Sequence, residues 1–136
     1  MDRISPKARS ENMRCIRSKD TAPELTVRRL VHGMGFRYRL HVQRLPGRPD
    51  LVFTRLKKII QVHGCFWHQH RGCSQSHVPK SRLQYWRPKL TRTKSRDIAS
   101  EKALREQGWD VLTIWACELN DAEALSYRLS EFLYEC

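Results

Sequence analysis

Acidic side chains are scarce in the middle of this chain. From Leu25 to Arg96 there are seventeen Lys or Arg and one acid, Asp50, whereas Asp97 to Cys136 carries nine acids against Lys102, Arg105 and Arg128. The net charge of +12 is therefore an excess of one region. Arginines outnumber lysines eighteen to eight, which favours planar, bidentate contact with phosphate. The expected partner is a polyanion, nucleic acid first among them; a solvated basic face without a ligand is the plain alternative.

Long apolar runs are missing as well. None approaches the roughly 18 residues of a membrane span, and Met1-Asp-Arg-Ile-Ser-Pro-Lys7 lacks the apolar segment of a signal peptide. The five cysteines are an odd count, and Cys65, Cys73 and Cys117 make better sense as reduced ligands than as a disulfide framework, so a reducing cytoplasm is expected. Cys15 and Cys136 read as plain thiols. Repeats, low-complexity segments and coiled-coil heptads are absent, which makes a monomer the default. At 136 residues and 40% hydrophobic, the chain suits one domain with one modest core.

What is present concentrates in eleven residues, His63-Gly-Cys-Phe-Trp-His-Gln-His-Arg-Gly-Cys73. Thiolate and imidazole are the usual ligands of a structural zinc, and Phe66-Trp67 beside Gly64 suits an exposed wedge better than a packed interior. His68 and His70 both lie within reach of Cys65 and Cys73, so spacing leaves open which one coordinates. Cys117 is remote, and a lone cysteine after a strand is more often core than ligand. Trp109 and Trp115 flank β-rich sequence and read as core, and His32, His41 and His77 are given no chemical role.

The pattern predicts an α/β chain. Residues 1–20 form a basic arm with a short helix around Arg9 to Arg17. Thr21-Ala-Pro-Glu24 should cap a helix that runs towards Met34 and ends at Gly33 and Gly35. Phe36 to Leu40 alternates like a half-buried strand; Asp50 to Thr54 and Lys58 to Val62 follow as strands, the second with an Ile59-Ile60 run that suits a central position. Pro88 should open a helix ending near Gln107, Trp109 to Trp115 reads as a strand, and Asn120-Asp-Ala-Glu123 resembles a capping box before a final helix. Helix, three strands, helix, strand and helix describe a three-layer α/β/α sandwich around a mixed central sheet.

Asp50 carries the chemical question. Pro46, Gly47 and Pro49 stiffen the turn Leu45-Pro-Gly-Arg-Pro-Asp50 and deliver the carboxylate to the start of a strand. Surrounding cations are expected to depress its pKa and keep it ready for a hard divalent metal; a structural ion pair with Arg48 is the alternative.

A Pro-Asp turn followed by a second signature at the end of the next strand resembles the restriction-endonuclease-like nucleases, although Gln61 and His63 stand where that superfamily has an acid and a lysine. Leu45-Pro-Gly-Arg-Pro-Asp50, Gly64-Cys-Phe-Trp-His68 and Gly108-Trp109 through Trp115-x-Cys117 resemble, much more closely, the very short patch repair endonucleases. Arg9-Ser-x-Asn-Met13, Asp20-Thr-Ala-Pro-Glu24, Val78-Pro79, Trp86 and Arg96-Asp97 extend the likeness over nearly the whole chain.

That resemblance implies an endonuclease domain over residues 21–136, with residues 1–20 as a DNA-contacting arm. It implies a magnesium-dependent nickase that cuts duplex DNA beside the T of a T:G mismatch left by 5-methylcytosine deamination, in the bacterial cytoplasm at the nucleoid, with mismatch-repair proteins as candidate partners. Asp50 and the Val62 carbonyl would bind Mg2+, Glu24 and His63 would hold waters on it, His68 would activate the attacking water, and Asp97 would orient His68. Structural Zn2+ would sit on Cys65, His70, Cys73 and Cys117. Phe66, Trp67 and Trp86 would enter the duplex from the major groove and Met13 from the opposite one. Val62 stands where the family usually has threonine, Thr93 where asparagine is common, and Gln69 and Arg71-Gly72 where the stretch is commonly richer in histidine. A zinc-stabilised DNA-binding module without catalysis, and a related nuclease cutting other mismatches or matched duplex, are the competing readings.

Overall fold

A computed structural model describes residues 21–78 and 80–134. The expected arm with its short helix, and with it Met13, Cys15 and Asp20, lies outside the described residues, as do Pro79 and Cys136.

Helix α1, Ala22–Gly33, starts as its sequence requires: the Thr21 hydroxyl accepts a hydrogen bond from the Glu24 N–H at 3.4 Å, and a proline occupies the first turn. Strands β1 (Arg39–Leu40), β2 (Leu51–Phe53) and β3 (Lys58–His63) follow. Helix α2 spans Leu83–Glu106, β4 Asp110–Trp115 and α3 Ala122–Tyr134. The sheet runs β1-β2-β3-β4, antiparallel as far as β3 and parallel between β3 and β4. The continuous Ile59-Ile60 run thus sits inside the sheet with both faces covered, as such a run demands.

Alternation along the strands sorts two packed layers. Leu51, Phe53, Ile60 and Ile114 meet Val27 and Val31 of α1 and Leu125, Leu129 and Leu133 of α3. On the opposite face Val52, Ile59 and Val111 meet Leu104 of α2 together with Leu45 and Trp109. A mixed four-stranded sheet between helices is the result.

Three boundaries differ from expectation. The strand expected from Phe36 shrinks to Arg39–Leu40, because Phe36 and Tyr38 turn their rings onto Phe53 instead of continuing a ladder. Helix α2 begins at Leu83, five residues before Pro88, after Arg82 adopts a left-handed φ of 58°. Pro88 therefore lies inside the helix, where its missing N–H leaves a gap in the ladder; ring contacts of Tyr85 and Trp86 hold the turn ahead of it. The last helix is capped by Asp121 rather than Asn120, the Asp121 Oδ1 accepting from the Ala124 N–H at 3.1 Å. Among the described residues no helix is long and apolar enough to cross a membrane.

Candidate active site and metal centres

The turn that carries Asp50 is docked on α2. Gly47 has φ 75°, and a Cβ there would lie 2.8 Å from the Ser100 side chain, so this close approach and this backbone both call for glycine. Asp50 follows at the lip of β2, where its Oδ2 accepts a hydrogen bond from the Val62 N–H at 2.7 Å. Glu24 arrives from α1, nearly fully buried, and is held by Arg28 and by His41 Nε2 at 3.0 Å. His41 Nε2 also lies 4.0 Å from Asp50 Oδ1.

Glu24, His41 and Asp50 thus form one cluster, and His41, expected to be chemically idle, belongs to it. Its sequence signal was slight: one histidine ahead of a Pro-Gly turn, in the left-handed region at φ 45°. The expectation for Asp50 itself is reversed. Burial pushes its pKa up from 3.8 to about 7; the Val62 N–H opposes this, while Glu24 adds to the rise and outweighs Arg28. Cations are plentiful along the sequence, but the nearest guanidinium, that of Arg28, is turned to Glu24. Two carboxylates and one imidazole nitrogen lie within 4.8 Å of one another here, and a cation bound among them would favour the ionised form of Asp50 against the burial that raises its pKa. The residues fit a hard divalent ion.

One residue beyond Val62, a second cluster begins: His63, His68 and Asp97. His63 and His68 stack face to face at 3.8 Å and 9°, and His68 Nδ1 lies 2.5 Å from Asp97 Oδ2. Asp97 comes from the middle of α2, twenty-nine residues away in sequence, and makes this contact rather than a surface pairing with Arg96. His63 is pushed down from 6.5 to about 4, mainly by burial and further by His68, against the pull of Asp97. It is neutral at physiological pH.

The third cluster gathers Cys65, His70, Cys73 and Cys117, whose ligand atoms all lie within 4.8 Å of one another. His70 Nδ1 approaches Cys117 Sγ at 3.4 Å, while His68, its rival by spacing, is committed to Asp97. Burial, with Cys65 and Cys73 alongside, pushes the Cys117 thiol up to about 12, whereas the Gln75 main chain lowers Cys73. A cation bound here would displace the thiol protons to solvent, and three sulfurs with one imidazole nitrogen fit tetrahedral zinc. Gln69, where the stretch is commonly richer in histidine, braces the loop mechanically, because its side-chain amide donates to the carbonyls of Phe66 at 2.6 Å and Ser76 at 3.1 Å.

Phe66, Trp67 and Trp86 assemble beside this loop with every pair of rings edge-on, 5.3 to 5.8 Å apart. Trp67 is 37% exposed; Phe66 and Trp86 are half-buried and support it. Trp109 is core as expected, at 7% exposure. Trp115 is only half-buried; it stacks flat on His70 and meets His63 edge-on instead.

The Glu24, His41 and Asp50 cluster beside the His63, His68 and Asp97 cluster has the donors of a metal-assisted hydrolytic site on a mixed α/β fold. The chain belongs to the DNA mismatch endonuclease Vsr family, whose model matches residues 1–75. It is 49% identical over 132 residues to the type II nicking enzyme V.XorIIP of Xanthomonas oryzae pv. oryzae, covering 97% of this chain and 96% of that protein. It is 40% identical over 130 residues to the DNA mismatch endonuclease Vsr of Escherichia coli K12, covering 92% and 83% respectively. Among solved structures, the catalytic domain of the homing endonuclease I-Bth0305I aligns over 83% of this chain and 94% of that one, with a TM-score of 0.49 and 22% identity.

Proposed function

We propose that this protein nicks one strand of duplex DNA beside the T of a T:G mismatch, by magnesium-dependent phosphodiester hydrolysis, as a monomer in the bacterial cytoplasm at the nucleoid. The observation that carries the reading is the junction at Val62-His63, which joins the Asp50 cluster to the His63, His68 and Asp97 cluster. A relative named a mismatch endonuclease and several named nicking enzymes support it.

Asp50 and the Val62 carbonyl would hold the catalytic ion. When bound there, a hard divalent cation neutralises phosphate charge and acidifies water. His68 takes the proton from the attacking water at Nε2, since Nδ1 is fixed by Asp97, whose carboxylate sets the tautomer and stabilises the imidazolium that forms. His63, neutral and stacked on His68, keeps that ring in one plane and offers a nitrogen to ordered water. Glu24, clasped by Arg28 and His41, orients water on the opposite side of Asp50. Cys65, His70, Cys73 and Cys117 would hold structural zinc and pin the loop from which Phe66 and Trp67 project. Those rings and Trp86 are the wedge for the mismatched step, where unstacking costs a few kcal/mol and less than in matched duplex.

Labelled duplexes carrying T:G, other mismatches or none, incubated with magnesium or EDTA, test the reading. Magnesium-dependent nicking of T:G above the rest is expected. Binding without cleavage would leave a zinc-stabilised binding module, and equal cutting of matched duplex a nuclease of broader range.

A further inference from the structure

One side chain touches both the catalytic cluster and the cysteine cluster. Trp115 closes β4 directly opposite His63 in the parallel ladder. Its ring meets His63 edge-on at 5.3 Å and 78°, and lies flat on His70 at 4.2 Å and 6°. His63 stacks on His68, which is hydrogen-bonded to Asp97. An unbroken run of contacts therefore leads from a ligand of the sulfur cluster to the histidine that takes the proton. The Trp115 main chain is itself fixed, its N–H donating to Glu118 Oε1 at 3.0 Å, and Glu118 is gripped by Arg128 of α3.

A tryptophan that merely filled core would be buried among aliphatic groups, as Trp109 is. Trp115 is half-exposed and spends its ring faces and edges on two imidazoles from different clusters. Flat stacking restrains the His70 ring against tilting, the edge contact backs the His63 ring, and a smaller side chain would open a gap that forfeits both contacts. Histidine alignment matters because a displacement of about 1 Å at a reacting group can cost roughly 100-fold in rate.

We infer that Trp115 is a positioning residue that transmits the order of the Cys65, His70, Cys73 and Cys117 cluster to the His63–His68 stack. The inference rests on the nuclease reading of His68. Occupation of the sulfur cluster fixes His70, His70 fixes the Trp115 ring, and Trp115 holds His63 upright under His68. Zinc at a distance thereby acts on alignment without touching DNA.

The test uses the full chain as wild type, Trp115→Phe and Trp115→Leu, with zinc content and melting followed for each. Histidine ring signals are recorded by NMR before and after zinc is added to metal-stripped protein. In wild type, zinc shifts His63 and His68 as well as His70; in Trp115→Leu only His70 responds, and Trp115→Phe falls between. Nicking of T:G duplex in magnesium loses roughly 10- to 100-fold in kcat in Trp115→Leu, with KM for duplex changed less than about twofold. A full His63 and His68 response in Trp115→Leu, or a kcat loss that only tracks lost zinc, overturns the inference. Should Trp115→Leu fail to fold, Trp115→Phe decides: a weakened response supports the coupling and a wild-type response refutes it. Should wild type nick nothing, the nuclease reading falls, and the ring signals still report whether the two clusters are coupled.

Discussion

Asp50 is asked to be half-buried, close to another carboxylate and yet ionised. A carboxyl whose pKa rises from 3.8 to about 7 on folding contributes its stability below the unfolded value and loses it as pH climbs through the folded one. In metal-free buffer, Asp50→Asn should therefore melt above wild type at pH 8, by roughly 1–4 kcal/mol in unfolding free energy, with the gap closing towards pH 4. Denaturant titrations at the two pH values check this; equal stability at pH 8 would mean that the site has no need of a cation. His63 has the opposite slope. Lowered from 6.5 to about 4, it gives stability above 6.5 that is lost as pH falls through 4, so His63→Gln should flatten the acid side of the stability curve between those values. The sequence showed Asp50 as exceptional and misjudged its pKa, since linear counting of cations cannot tell that Arg28 faces Glu24. Nor could it find His41, whose signal is a three-dimensional meeting of β1, α1 and β2.

Among the elements, the turn before β2 and the second half of α2 depend on each other. Gly47→Ala pushes a methyl into Ser100 and strains a left-handed backbone, so a loss of about 1–3 kcal/mol is expected, with nicking impaired further because Asp50 rides on that turn. Gly47→Ala paired with Ser100→Gly should recover part of both; an additive double variant would show that the contact is not the cause. Local pattern foretold the helices and strands well where caps and alternation speak for themselves, as at Thr21 and Ile59-Ile60. It misplaced the start of α2 because proline preference for a first turn was weighed without the rings of Phe66 and Trp67, which reward an extra turn bearing Trp86. The convergence of Cys117 with Cys65, and of Asp97 with His68, spans 52 and 29 residues; no periodicity encodes such meetings, and resemblance alone supplied them.

For the whole molecule, charge sets the reach. An arginine-rich chain of net charge +12 should bind matched duplex through phosphates in a strongly salt-dependent manner. If six to ten phosphates are neutralised, affinity falls roughly 10³- to 10⁵-fold between about 50 and 200 mM salt. The proposed preference for T:G, if Trp67 and its supporting rings carry it, should depend on salt far less. Trp67→Ala is expected to erase most of that preference and leave the salt slope and melting temperature nearly unchanged, as befits a side chain 37% exposed; fluorescence anisotropy across a salt series separates the two effects.

Whether Asp50 grips a hard cation at the phosphodiester is decided by manganese titration of the complex with T:G duplex, followed by electron paramagnetic resonance on zinc-loaded protein. Wild type should take up manganese at the site, and Asp50→Asn should lose that uptake while keeping its zinc and its hold on DNA. Equal manganese binding by both proteins would mean that the carboxylate is not the metal ligand and that the nuclease mechanism drawn from it is wrong.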